Sequence, residues 1–238
     1  MYDRNPLYTQ LVDKFLVKEY VANKIGESHV IKVLDSWNNV DDIKWDSLPN
    51  KFVIKCSHDC GGMIICKDKS KLNVELAKKN LRKAFNSNYY YDSREWPYKN
   101  VQKRIFCEEY KEDSFNELRD YKFFCFNGEV KAMFIASNRQ LGNDELRFDF
   151  FDSDFQHLPF TQGHINADVI PDKPKCFEQM KEFASILSKD IPHVRVDFYE
   201  VDGHVYYGEM TFFHFSGMVP FSSKLWDYKL GEYIQLPK

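Results

Sequence analysis

Short apolar runs alternate with polar breaks along the chain, and their spacing assigns most of the elements. Residues 7–25 place Leu11, Phe15, Val17, Tyr20 and Val21 near helical spacing and end at Gly26, which predicts a helix with a glycine C-cap. A short extended piece over 29–34 follows, then a loop. The runs Phe52–Cys56 (FVIKC) and Met63–Cys66 (MIIC) read as strands around a polar, glycine-containing loop. Residues 71–87 read as a helix, 87–98 as an aromatic-rich loop, and 104–110 (RIFCEEY) as a strand entering an acidic connector. Residues 121–126 and 129–135 flank Asn127-Gly128, the strongest short-range hairpin signal. Residues 140–175 are irregular apart from a strand-like FDFFDSDF, and 177–189 read as a helix. Two groups of antiparallel hairpins with a few helices make the fold class α+β.

The last hairpin, 194–217 (VRVDFYEVDGHVYYGEMTFFHFSG), carries Asp197 and Glu209 where strand interiors disfavour carboxylates. A hard divalent cation such as Mg²⁺ would satisfy two facing carboxylates; the plain alternative is a salt-bridged, solvated face. Register decides whether they face each other. A two-residue Asp202-Gly203 turn would pair Asp197 with Gly208 and send Glu209 to the other face. A three-residue loop with Gly203 in a G1 bulge would pair Asp197 with Tyr207 and Arg195 with Glu209, leaving Arg195, Asp197, Glu209 and Thr211 on one face. The metal reading therefore predicts a bulged turn.

Composition narrows the class. At 238 residues the chain can bury a substantial core, and its formal net charge of −3 gives no reason to expect nucleic-acid binding. No apolar run approaches membrane-spanning length, and the N-terminus lacks a signal-peptide layout. The six cysteines form no CxxC pair and lie mostly in apolar runs, as expected of reduced thiols in a cytoplasmic protein.

Three further constellations carry candidate chemistry. Lys55 ends an apolar strand before Ser57, His58, Gly61 and Gly62; glycines let backbone N–H groups approach an anion and the ammonium supplies charge, although adjacent glycines between strands are more often a plain turn. In the Asn127-Gly128 hairpin a two-residue turn pairs Phe124 with Lys131 and Lys122 with Met133. Lys122 and Lys131 would then share a face, joined by Arg139 if the strand persists; for an isolated lysine pair a solvated face is the commoner outcome. Glu108, Glu109 and Tyr110 end a strand whose backbone could meet a purine edge.

In order along the chain, these pieces resemble the ATP-grasp superfamily. Asp13-Lys14 with Lys18 is similar to its entry helix, FVIK-CSHDCGG to its phosphate-covering loop, EEY to its adenine hinge, Asp120-Tyr121-Lys122 with Arg139 to its basic hairpin, and RVDFYEVDG…YYGEMTF…SG to its metal signature. The phrases REWPYKN, DYKFFCFNGEVK and RVDFYEVDGHVYYGEMTF resemble the TupA-like branch, associated with teichuronopeptide and capsular polysaccharide synthesis. Two departures stand out. Thr211 replaces the usual asparagine ligand, and the chain begins almost at the entry helix, without the N-terminal domain that commonly helps bind the carboxylate substrate.

The resemblance implies two α+β lobes with mainly antiparallel sheets gripping ATP between them: an entry segment over 1–45, a lid lobe over 46–110 and a large lobe over 111–238. It implies an ATP-dependent carboxylate–amine ligase that forms an amide through an acyl phosphate. Mg²⁺ would lie on Asp197, Glu209 and Thr211. ATP would lie on Lys55, Ser57, His58, Gly61, Gly62 and Lys122, with Glu108, Glu109 and Tyr110 at adenine, Glu112 at ribose and the Ser216-Gly217 backbone at the transferred phosphoryl. Lys122, Arg139 and Arg195 are the catalytic candidates. Acceptor recognition is expected from 140–175, from 89–98 or from a partner. The substrates implied are an amino acid or amino sugar and a uronic-acid-containing glycan or precursor, with other capsule-synthesis proteins as associates. A capsule glycosyltransferase using a nucleotide sugar, a non-catalytic nucleotide-binding protein and a plain structural α+β domain are the competing readings.

Overall fold

The computed structural model describes residues 3–59, 61–112, 118–138 and 145–235. The elements are α1 (Leu7–Val12), α2 (Val17–Ile25), β1 (Val33–Trp37), β2 (Phe52–Cys56), β3 (Met63–Cys66), α3 (Val74–Asn86), α4 (Tyr89–Ser93), β4 (Ile105–Glu109), β5 (Asp120–Phe126), β6 (Glu129–Ser137), β7 (Arg147–Asp152), α5 (Phe177–Leu187), β8 (Val194–Val201), β9 (His204–Thr211) and α6 (Lys224–Glu232). The strands form two antiparallel sheets, of order β1-β4-β2-β3 and β7-β6-β5-β8-β9. They belong to two compact units, one of residues 1–20 and 30–111, the other of 21–29 and 112–238. The α+β class holds.

The predicted N-terminal helix is two helices. Asp13 interrupts it: its buried Oδ1 accepts from the N–H groups of Phe15 and Leu16, offering the backbone a turn in place of a continued helix. The helix then ends at Gly26, whose φ of +104° fits the predicted C-cap.

In the first unit β2 alternates strictly. Phe52, Ile54 and Cys56 enter a core with Ile105, Cys107, Leu81 and Ala84 against α3, which leaves Val53 and Lys55 on the opposite face. Residues 87–98 are not a plain loop: Asn88 caps α4, and a short 3₁₀ segment spans Trp96–Asn100.

In the second unit one face of the sheet packs Phe123 and Phe198 against Phe177 and Phe183 of α5. The other face carries a second aromatic layer, with Phe124, Phe134 and Phe150 beneath Leu158, Phe160 and Leu230. The helix α6 escapes periodicity because Leu225 and Tyr228 are exposed and only Leu230 is fully buried.

Both hairpin turns are two-residue turns with positive φ at both central residues, Asn127 (+50°) and Gly128 (+84°), Asp202 (+51°) and Gly203 (+81°). Each hairpin also bulges further along. Between Phe124 and Cys125 the pairing shifts, so Phe124 meets Ala132 and Lys122 meets Phe134. Lys122 and Lys131 therefore do not share a face as expected: Lys131 turns to Glu129 and to the Tyr233 ring. In β8–β9 the bulge falls between Asp197 and Phe198, not in the turn, and it pairs Asp197 with Glu209 and Arg195 with Thr211. The expected pairings of Asp197 with Tyr207 and of Arg195 with Glu209 are thus corrected. The four side chains nevertheless share one face. Gly208 is the unpaired residue, and a Cβ there would sit 3.1 Å from the Asp197 carbonyl oxygen, so the bulge closes around a glycine.

Candidate functional site

In the first unit Lys55 of β2 and Glu108 of β4 lie on the face opposite α3, because Glu108 pairs with Val53 and Lys55 with Phe106. Lys18, on the first turns of α2, completes a cluster. Its Nζ lies 2.5 Å from Glu108 Oε1 and donates to the Ile31 carbonyl at 2.8 Å, while Lys55 Nζ is 2.7 Å from Glu108 Oε2. Burial alone would raise the Glu108 carboxyl, but Lys55 and Lys18 outweigh it and hold the group below its usual range. Burial lowers the Lys18 ammonium, and Glu108 opposes that. The cluster is a carboxylate clamped by two lysines, with one net positive charge beside the glycine loop.

That loop is tied down at its start. The Ser57 hydroxyl donates to the Gln102 carbonyl and accepts from the Arg104 N–H, while Lys14 Nζ donates to the Asp59 carbonyl at 2.7 Å. The His58 ring is buried, with Nε2 3.2 Å from the Phe85 carbonyl. Asp59 Oδ2 accepts from the Gly62 N–H, and a Cβ at Gly62 would lie 2.3 Å from the Ala84 Cβ. Ser57 and His58 are thus engaged with the scaffold, and the loop's chemistry falls to Lys55 and the Gly61-Gly62 backbone. At the end of β4, Glu109 pairs with Lys111 at 3.0 Å, and the Tyr110 ring has Lys51 and Lys67 ammonium groups at 5.8 and 5.7 Å. Glu112 is half-buried and opens the second unit.

In the second unit the two-residue spacing of Arg195 and Asp197 sends both side chains from one face of β8. The guanidinium forks onto the carboxylate, Nε to Oδ1 and Nη2 to Oδ2, both at 2.7 Å. The same Nη2 donates to Thr211 Oγ1 at 3.0 Å and to Glu209 Oε1 at 3.4 Å. Lys122, from the adjacent β5, bonds Asp197 Oδ2 and lies 3.4 Å from Asp120. Burial would raise the Asp197 carboxyl; Arg195 and Lys122 overcome it and hold it below the usual carboxylate range. Asp197 is 1% exposed in its side chain and Glu209 32%, so the cluster runs from the sheet's interior outward.

The sequence pointed to neither His214 nor Asp120 as site residues in their own right. His214 Nδ1 lies 2.6 Å from Arg195 Nη1. Arginine only donates, so Nδ1 accepts and the ring is neutral; burial, then Arg195, lowers it to about 2. Beyond it, Phe215 (φ +50°), Ser216 (+54°) and Gly217 (+70°) form a left-handed run, two of them strained non-glycine positions of about 1 kcal/mol each. Arg139 lies outside the described residues. Among the described residues no group of three or more His, Cys, Asp or Glu side chains forms a metal cage, and no helix is long and apolar enough to cross a membrane.

Comparison with known proteins supplies the family. Among solved structures the chain is similar to a D-alanine–D-alanine ligase from Helicobacter pylori, at 15% identity and a TM-score of 0.51 over 87% of this chain and 52% of that one. It is also similar to a D-alanine–D-alanine ligase from Bacillus anthracis complexed with ATP, at 13% identity and a TM-score of 0.50 over 85% and 54%. At these identities the likeness shows a shared ATP-grasp fold, and the chain spans about half the length of each of these enzymes. A search of curated proteins finds no match. The model of the TupA-like ATP-grasp family matches residues 1–235, and the chain belongs to that family.

Proposed function

We propose that the chain is an ATP-dependent carboxylate–amine ligase that acts on a cell-surface glycan or its precursor. A substrate carboxylate oxygen attacks the γ-phosphorus of ATP, the bond to the β-phosphate oxygen breaks, and ADP departs. An amine then attacks the acyl carbon, the C–O bond to phosphate breaks, and the amide forms with loss of a proton to phosphate or solvent. The observation that carries this reading is the convergence of Arg195 and Lys122 on Asp197 beside Glu209 and Thr211, on one sheet face in a chain of the ATP-grasp family. Phosphoryl transfer needs positioning and charge neutralisation more than covalent chemistry from the protein, and this cluster offers both.

The donor set fits a magnesium ion. Asp197 is held ionised, Glu209 faces it across the hairpin, and Thr211 adds a hydroxyl, all hard oxygens that already converge on one positive group. When bound there, the ion would neutralise phosphate charge. Arg195 would then give up its fork on Asp197, remain linked to His214, and bind the transferring phosphoryl. Lys122 and Lys55 bind phosphates, Glu108 keeps Lys55 extended, and the Gly61-Gly62 backbone covers the triphosphate and excludes water. Glu109 and Tyr110 meet adenine, Glu112 the ribose, and Arg139 and the Ser216-Gly217 backbone the acyl phosphate oxygens. The setting is cytoplasmic polysaccharide synthesis, with an amino acid or amino sugar joined to a uronate.

Thermal unfolding with Mg-ATP, Mg-ADP and nucleotide sugars tests the proposal. A ligand at about 100 times its Kd adds about 2.7 kcal/mol, or roughly 5–10 °C. Mg-ATP is expected to give that shift and Glu209→Gln, at a part-exposed position, to lose most of it. A shift with nucleotide sugars alone would replace the ligase by a glycosyltransferase.

A further inference from the structure

The second unit holds a cavity of about 460 Å³ that adjoins the Arg195 cluster through His214. Its volume lies within the ~300–1,000 Å³ usual for small-molecule sites. Phe124 and Phe126 form part of its wall, with the His193 ring stacked 4.5 Å from Phe126; Gln162, His214 and Asp227 supply polar groups.

Hydrogen bonding fixes what each polar group presents. His193 Nδ1 is 3.0 Å from the Cys125 carbonyl, which only accepts, so Nδ1 carries the proton and Nε2 keeps its lone pair. His214 has the opposite tautomer: Nδ1 accepts from Arg195, and Nε2–H is buried without a partner among the described residues. Gln162 donates its amide NH₂ to the Val219 carbonyl at 2.8 Å, which identifies the other atom as Oε1, a buried acceptor also without a partner there. Both histidines are neutral near pH 7, since burial lowers them to about 4 and about 2. Among the described residues no lysine or arginine lines the cavity, and Asp227 is its one acidic side chain. The accessible acceptors of the lining are thus His193 Nε2 and the Asp227 carboxylate, between aromatic walls.

We propose that this cavity binds the amine-bearing co-substrate, a primary amine on an otherwise uncharged saturated ring of amino-sugar size. An amine has the protons that His193 Nε2 and Asp227 lack, and the C–H face of a saturated ring packs on aromatic walls. A carboxylate would meet Asp227 and, among the described residues, no cation. The inference rests on the ligase reading and adds a direction to it: the carboxylate is activated at Arg195 and Lys122, and the amine waits behind His214. Of the regions expected to bind the acceptor, 140–175 contributes Gln162; the other polar groups come from the residue before β8, from α6 and from the turn after β9.

Saturation-transfer NMR on the full chain with glucosamine, glucose and glucuronate tests it, with the Mg-ATP thermal shift as a separate readout. Glucosamine should give strong transfer, glucose less by about fivefold, the worth of one exposed ion pair, and glucuronate none. Asp227→Lys, a change at an exposed helix position, should weaken glucosamine by the same factor or more and admit glucuronate. Glucuronate binding to the wild type as well as glucosamine, or an unchanged glucosamine signal in Asp227→Lys, would overturn the assignment. If Mg-ATP shifts the wild type while glucosamine does not bind, the cavity assignment fails and the ligase reading stands. If neither binds, both fail.

Discussion

Arg195 serves four acceptor residues with one guanidinium, Asp197 taking two of its bonds, and that makes Asp197 the residue on which the cluster depends. Its carboxylate takes both tines of the arginine fork and the Lys122 ammonium, deep in the sheet. Removing one partner of a buried pair leaves uncompensated charge and costs about 3–5 kcal/mol. Asp197→Asn is therefore expected to lower stability by that order in urea denaturation. Glu209→Gln, with its side chain 32% exposed, should change it by no more than about 1 kcal/mol. Equal losses in the two variants would mean that Asp197 anchors the cations no more than Glu209 does. Glu108 follows the same logic: Glu108→Gln leaves Lys18 and Lys55 beside each other without their shared carboxylate. It should raise the KM for ATP as Lys55 relaxes, whereas a purely structural role would lower Tm and leave KM unchanged.

At the scale of elements, bulges decide what the strands present. A Cβ at Gly208 would press on the Asp197 carbonyl at 3.1 Å, while one at Gly203 would meet nothing within 4 Å. Gly208→Ala should therefore disturb the Asp197–Glu209 pairing and reduce the Mg-ATP shift. Gly203→Ala should cost about 1 kcal/mol for its left-handed φ and leave the shift intact. Measuring both Tm and the ATP shift separates them, and a normal shift in Gly208→Ala would show that the bulge does not set the site. The same bulges explain what could be read in advance. Asn127-Gly128 and Asp202-Gly203 announced their turns, because only a few residues tolerate two successive positive φ values. The strands Phe52–Cys56 and Met63–Cys66 were legible from their apolar runs, and Lys55 from its place opposite the core-facing residues. The one-residue shifts at Phe124/Cys125 and Asp197/Phe198 were not, since a bulge depends on backbone approach between strands and leaves no periodic mark. Lys131 was misplaced for that reason, while the co-facial set of Arg195, Asp197, Glu209 and Thr211 emerged from a register other than the one expected. His193, His214 and Gln162 carry no local signal; tertiary packing alone brings them to one cavity.

For the molecule as a whole, the buried ionisable groups set how stability follows pH. His193 has a folded-state value of about 4 against an ordinary 6.5, chiefly through burial, with Arg195 adding to the shift and the Cys125 carbonyl opposing it. A group lowered on folding binds more protons when unfolded, so it contributes stability in full above about 6.5 and loses it as pH falls toward 4. Asp197 and Glu108 are also lowered, and their contribution is present above the ordinary carboxylate range and disappears only as pH drops through their lower folded values. Acid should thus act in two stages, histidine first and the clamped carboxylates after. At 1.36 kcal/mol per pH unit of separation, discounted for the part-exposed ring, His193 accounts for about 2–3 kcal/mol between pH 6.5 and 4. This corresponds to a fall of about 5–10 °C in Tm for a chain of this length. His193→Gln keeps a polar group in the cavity without the titration, so its Tm should change less than that of the wild type between pH 7 and 4.5. The two proteins should then fall in parallel at lower pH. Identical slopes from pH 7 to 4.5 would place the acid sensitivity elsewhere and leave His193 without a part in it.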